Sequence, residues 1–197
     1  SEPPIEPNFI WFEMPYFDTL DGDARARMME VVEALGGQVE VLDAEKSFGG
    51  LIEVHQIIME HQIAQNLGWA LDQDPDNVSP KIAASIERGR RFSDAAFAEA
   101  CEIRKSTIGF FSTLFQDVDA ILTPAAPGPA PLFEQGTGDP IFSTIWTLCG
   151  LPCVTLPLLS SENGLPMGVQ LVGNSEEDDR LLRTATWMQK HLMNDND

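Results

Sequence analysis

Phe142, Ile145, Trp146, Leu148 and Cys149 recur at helical spacing in a segment too brief for a long helix. The segment is preceded by the loop chemistry of Gly136 to Pro140 and stopped by Gly150-Leu151-Pro152. Cys153-Val154-Thr155-Leu156 then reads as a buried strand closed by Pro157. A short apolar helix between a glycine-containing loop and a core strand is poor surface design. It makes sense as a cavity wall, since pockets are mostly apolar with a few placed polar groups. Reactive groups near it are scarce. Ser143, Ser160 and Ser161 lie close by, but no base accompanies them in a strained turn. Lys46, Lys81, Lys105 and Lys190 all occupy polar helix or loop positions. None has the apolar surroundings that lower a lysine pKa for base work.

Other constellations are equally thin. His55 and His61 are six apart on one predicted helix and so face different ways, and Glu60-His61 does not complete an HExxH motif. Cys149 and Cys153 lack redox-motif spacing and have no second pair to build a zinc site, so they read as small buried residues. There is no GxSxG and no nucleotide-binding glycine loop. From residue chemistry alone the expectation is a scaffold with a pocket wall, no catalytic residue, no metal and no cofactor.

The elements that must position this wall follow from periodicity. Phe9-Ile10-Trp11-Phe12 reads as a strand buried on both faces. Met28, Val31, Val32 and Leu35 form one helix face, Gly36-Gly37 ends that helix, and Gln38 to Leu42 is a second strand. Strand, helix and strand joined by short links predict a parallel βαβ unit. A long helix is expected over Phe48 to Leu71, and another starts at Ser79-Pro80 with Ile82 and Ile86 inward. A third runs from Ser93 to Leu114, followed by a strand at Ala120-Ile121-Leu122 and an extended Pro-rich run over Ala125 to Pro131. Arg88-Gly89-Arg90-Arg91 is explained by a helix end and nearby acids more cheaply than by a phosphate site. Met167 to Val172 should pair antiparallel with Cys153–Leu159. Asn174-Ser175 should cap a last helix whose inner face is Leu181, Leu182, Ala185, Met188 and Leu192.

With 197 residues, 43% of them hydrophobic, the chain can bury a substantial core, and one domain over residues 1–197 is expected. Residues 1–7 read as an extended lead-in and 194–197 as a frayed tail. Twelve basic against thirty-one acidic residues give a formal charge of −19, which argues against nucleic acid or an anionic membrane as partner. Three cysteines without framework spacing suit a reduced, cytoplasmic setting. No segment approaches membrane-spanning length, and no signal peptide is read at the start.

Four linked stretches carry a resemblance. Asp117–Pro131 (DVDAILTPAAPGPAP), Thr137–Leu159 (TGDPIFSTIWTLCGLPCVTLPLL), Gly164–Gly173 (GLPMGVQLVG) and Asp178–Trp187 (DDRLLRTATW) resemble, in order and spacing, the carboxy-terminal half of the amidase signature family. Ile86–Arg104 agrees as well. The resemblance implies a layered α/β/α fold with a mixed sheet, of which this chain is the carboxy-terminal part. It implies hydrolysis or transfer at carbon–nitrogen amide bonds by a Ser–cis-Ser–Lys triad. In the family the lysine acts through the middle serine on the nucleophile, and backbone N–H groups hold the oxyanion.

All three triad residues belong to the family's amino-terminal half, and no GGSSGG-like run or matching lysine occurs here, so no catalytic residue is carried over. The pocket is. Phe142, Ile145, Trp146 and Cys149 are candidate substrate contacts on the acyl side, with plain core as the competing reading. Pro140, where the tRNA-dependent amidotransferase A subunit has Asp, favours a general amidase. The expected partners are a small amide substrate, in the complete enzyme, and either the missing amino-terminal half or a second copy of this chain. The alternative is a non-catalytic remnant serving as a dimerisation or partner-binding module.

Overall fold

The computed structural model describes residues 6–44 and 48–194. In chain order its elements are β1 (Phe9–Glu13), α1 (Gly22–Leu35), β2 (Val39–Asp43), α2 (Leu51–Gln73), α3 (Pro80–Gly89), α4 (Asp94–Leu114), β3 (Ala120–Pro124), α5 (Ile141–Cys149), β4 (Cys153–Ser160), β5 (Pro166–Val172) and α6 (Asp178–Asn194). They fall into two compact units. One is built from residues up to Gly49 and from Gly109 onward, the other from Gly50–Ile108.

The first unit holds a five-stranded mixed sheet in the order β2-β1-β3-β5-β4. β1 lies parallel to both β2 and β3, so the expected βαβ unit forms, and β5 runs antiparallel to β3 and β4. Cross-strand partners share a face, which sorts the core. Phe9 faces α6, where its ring meets Trp187 at 6.2 Å. Phe12 faces the opposite way and meets Trp146 of α5 at 6.1 Å and Phe111 at 5.8 Å. Helices therefore cover both sides of the sheet, as the layered α/β/α expectation requires. Arg180 of α6 ties its layer to the start of β3 through Asp119 at 2.8 Å.

α1 is capped by Asp21, whose carboxylate accepts from the Asp23 N–H at 2.8 Å, and buries Ala24, Met28, Val31 and Leu35 in one stripe. Its end at Gly36, with φ 54°, leads through a single turn into β2.

The helical unit contains α2, α3 and the first part of α4. Gly89 allows α3 to lie against α2, because a Cβ there would come 1.9 Å from the Glu60 carbonyl oxygen. Glu60 is buried and paired with Arg88 at 2.6 Å, while Arg90 holds Asp72 and the Gly68 carbonyl. Arg88 and Arg90 of the arginine cluster are thus engaged by acids and a helix carbonyl. His61 is buried and stacks on Phe97 with ring centroids 4.4 Å apart.

Several local expectations change. β4 continues beyond Pro157 to Ser160; it is an edge strand, where a residue without an N–H is tolerated. Residues 125–129 make successive bends instead of an extended run, and the Pro127 carbonyl accepts from Asp21 N–H at 2.7 Å. α6 starts at Asp178, not directly after Asn174-Ser175, because Glu176 adopts φ 62°, outside helical geometry. Ile82 and Leu182, expected inward, are exposed, leaving Ile86 and the Leu181–Ala185–Met188 stripe to make the contacts. The tail beyond Asn194, the first five residues of the lead-in, and Lys46 lie outside the described residues.

Candidate functional site

α5 is short because its chain neighbourhood permits nothing longer. At its start the Asp139 carboxylate accepts from the Ile141 N–H at 3.0 Å, and the Pro140 carbonyl accepts from Ser143 N–H at 2.8 Å and from the Thr144 hydroxyl at 3.1 Å. At its end Gly150 takes a left-handed conformation, φ 69°, which a glycine adopts without penalty. Leu151 N–H then closes back on the Trp146 carbonyl at 3.0 Å. The chain next enters β4.

The four residues singled out in the sequence come together on one side of this helix, and all four are buried. Phe142 packs edge-on against Tyr16 at 5.4 Å and tilted against Phe17 at 5.7 Å. Trp146 packs edge-on against Phe12 and Phe111. Such ring pairs add to plain burial because the aromatic edge and face carry opposite partial charge. The outward side of α5 is different: Ser143 and Thr144 are half-buried and Thr147 is exposed. The helix therefore presents hydroxyls outward and rings inward.

Beneath α5 runs a polar row that the sequence reading did not pick out. Thr123 of β3, Gln170 of β5 and Thr155 of β4 are cross-strand partners on one face. The Gln170 amide donates to the Phe142 carbonyl at 3.1 Å. The signal was a glutamine inside the apolar run Val169–Val172. Among the described residues, the Thr123 hydroxyl, the Trp146 indole N–H and the Tyr16 hydroxyl are buried without a hydrogen-bond partner. Burial raises the Tyr16 phenol well above its ordinary range.

The serines near this stretch do structural work or stand apart. Ser161 is buried and its hydroxyl accepts from Leu165 N–H at 3.1 Å, while Ser160 is exposed. Cys153 lies at the sheet edge with its thiol donating to the Leu151 carbonyl at 3.7 Å; local burial pushes that thiol up to about 11, although the residue as a whole is exposed. Beside Phe17, a cavity of about 160 Å³ opens at the carboxyl ends of β1 and β2, lined by Glu13, Asp18, Arg25 and Asp43 among others. It is smaller than the several hundred Å³ usual for an organic ligand.

A model of the Amidase family matches residues 29–182. The chain belongs to the Amidase family. Among solved structures, a crystal structure of an amidase superposes with a TM-score of 0.78 at 26% identity, covering 96% of this chain and 48% of that one. 6-Aminohexanoate cyclic dimer hydrolase, solved with its substrate, superposes at 0.75 with 19% identity, covering 98% and 46%, and this shows a common fold. Two curated relatives are glutamyl-tRNA(Gln) amidotransferase subunits A. The protein from Rickettsia bellii (strain RML369-C) is 34% identical over 111 residues, 51% of this chain and 22% of that protein. The one from Synechococcus sp. (strain CC9902) is 39% identical over 103 residues, 48% and 21% respectively. Amidases and amidotransferase subunits both match. This amidase-family chain spans about half the length of the solved relatives, and its alignment to the curated ones spans about a fifth of theirs. Among the described residues, no helix is long and apolar enough to cross a membrane.

Proposed function

We propose that this chain is the carboxy-terminal portion of an amidase-like hydrolase acting on carbon–nitrogen amide bonds, all 197 residues serving as one part of that domain. One observation carries the reading: 96% of the chain fits 48% of a solved amidase, so the fold it shares is about half of a larger one. In this reading the serine nucleophile, the middle serine and the lysine come from the amino-terminal half. The chain supplies the sheet, its covering helices and the acyl-side wall of the pocket. Phe142, Ile145, Trp146 and Cys149 shape that wall by setting the depth and tilt of α5, with a small amide as substrate. No cofactor belongs to this mechanism. The cytoplasmic setting rests on the three cysteines without framework spacing.

The test is co-expression of the full chain with the amino-terminal half of the 26%-identical amidase, followed by an amide-hydrolysis assay. The chain alone should be inert, and the pair should release carboxylate in a reaction blocked by serine-directed reagents. Serine-reagent-sensitive hydrolysis by the chain alone would overturn the reading. A formed but inert complex would instead favour the non-catalytic, partner-binding role.

A further inference from the structure

The connection between β4 and β5 runs Ser161-Glu162-Asn163-Gly164-Leu165 and contains the one Asn-Gly step in the chain. Asn163 and Gly164 are both exposed, and a Cβ built on Gly164 would meet nothing within 4 Å. That pairing has a chemistry of its own. The Cγ of an asparagine lies within five-membered-ring reach of the next residue's backbone nitrogen, and a following glycine has no Cβ to obstruct ring closure. Once the Gly164 nitrogen gives up its proton, its electron pair forms a bond to Asn163 Cγ. The Cγ–Nδ2 bond breaks and ammonia leaves with that proton. Water then opens the cyclic imide at either carbonyl, giving aspartate or, with the chain rerouted through Cβ, isoaspartate. One water enters, one ammonia leaves, and nothing is oxidised or reduced.

The turn restrains this reaction. Gly164 N–H donates to the Ser161 carbonyl at 2.9 Å, so the nucleophilic nitrogen is engaged, and Gly164 is held at φ 76°. Ser161 is buried; its N–H donates to the Leu165 carbonyl at 2.9 Å, and its hydroxyl accepts from Leu165 N–H at 3.1 Å. From the first turn of α1, the Asp23 carboxylate accepts from Glu162 N–H at 2.7 Å, a bond strengthened by the acceptor's charge. Ring closure needs the Gly164 nitrogen freed from this clasp. Brief local opening is the ordinary behaviour of an exposed turn.

We propose that Asn163 is a self-modification site, deamidating to aspartate and isoaspartate at a rate set by opening of the Asp23–Glu162 and Ser161–Gly164 clasp. The reaction needs only this chain and water. Its products act back on the turn. Either one adds a carboxylate beside Glu162, whose N–H is held by Asp23, in a chain that already carries a formal charge of −19. Isoaspartate also lengthens the turn backbone by one carbon, which puts it out of register with the Ser161–Leu165 bonds. The β4–β5 turn is thereby loosened from α1.

Peptide mass mapping of the full chain, incubated at mildly alkaline pH, tests this. Asn66 and Asn77 are exposed as well, but Leu67 and Val78 follow them, and the Asn77 amide donates to Asp74 at 2.6 Å. Asn163 should convert at least about tenfold faster than either, with aspartate and isoaspartate forms of its peptide resolved by chromatography. Chain denatured in guanidinium chloride should convert at Asn163 at least about tenfold faster than folded chain. Asp23→Ala removes the charged acceptor and should speed Asn163 about tenfold while leaving Asn66 and Asn77 unchanged. Asn163→Gln, which would need a six-membered ring, should show no mass gain in that peptide. The site assignment fails if Asn163 converts no faster than Asn66 and Asn77. The clasp fails if folded and denatured chains convert alike, or if folded Asp23→Ala converts like the unmodified chain. Should Asp23→Ala not fold, the comparison of folded with denatured chain decides.

Discussion

The side-chain amide of Gln170 on β5 donates to the backbone carbonyl of Phe142 in α5 at 3.1 Å, with both residues buried. It is a polar fastening between the sheet and the candidate pocket wall. A helix carbonyl already has its own N–H partner one turn on, so Gln170 adds a second bond and leaves no orphan acceptor when removed.

Gln170→Leu should therefore cost only about 1 kcal/mol, the net value of one internal hydrogen bond. Gln170→Glu should cost more, since it places a carboxylate in a buried position facing a carbonyl. Urea denaturation midpoints of the two variants check the order; equal losses would contradict it.

Gly89→Ala should be far more damaging than its single methyl suggests. The new Cβ would sit 1.9 Å from the Glu60 carbonyl oxygen and 2.6 Å from its carbon, and backbone does not yield as a flexible side chain does. The expected loss is at least the roughly 1–3 kcal/mol of an overpacked core. Thermal unfolding followed by far-ultraviolet circular dichroism measures it. Gly109→Ala, where a Cβ meets nothing within 4 Å, is the control and should not destabilise.

His55, half-buried on α2, has its pKa lowered from 6.5 by desolvation. The folded chain then binds fewer protons than the unfolded chain as pH drops through 6.5. Stability present above pH 6.5 is lost on acidification until the lower folded pKa is passed. Denaturation midpoints measured between pH 8 and pH 5 should show this decline, and His55→Gln should flatten it.

Cys153 titrates the other way. Burial raises its thiol from 9.0 to about 11, so the folded chain retains a proton that the unfolded chain loses. Stability should fall as pH rises from 9 toward 11. Alkylation by iodoacetamide at pH 8 should be slow despite the exposed position and accelerate with pH, because the thiolate is the reactive form. Peptide mass mapping at several pH values reads it out; fast modification at pH 8 would refute the assignment.

Much of the candidate site was legible beforehand. The helical recurrence of Phe142, Ile145, Trp146 and Cys149, with Gly150 behind them, located α5 and its inner face. The parallel βαβ unit and the antiparallel β4–β5 pair followed from strand runs and link lengths. What misled was local. Pro157 reads as a strand terminator, and only its outward register on an edge strand makes it harmless. Leu182 fits the helix stripe by spacing, yet it is exposed.

Sequence by itself determined the element types, the inward faces of α1 and α5, and the family, because these depend on residues close along the chain. Tertiary structure alone decided that Gln170 reaches Phe142 across 28 positions, that Thr123, Gln170 and Thr155 form one row, and that β4 is the terminal strand beside β5. Those relations arise from strand order and register, which join residues far apart in sequence, and no local pattern of side chains encodes them.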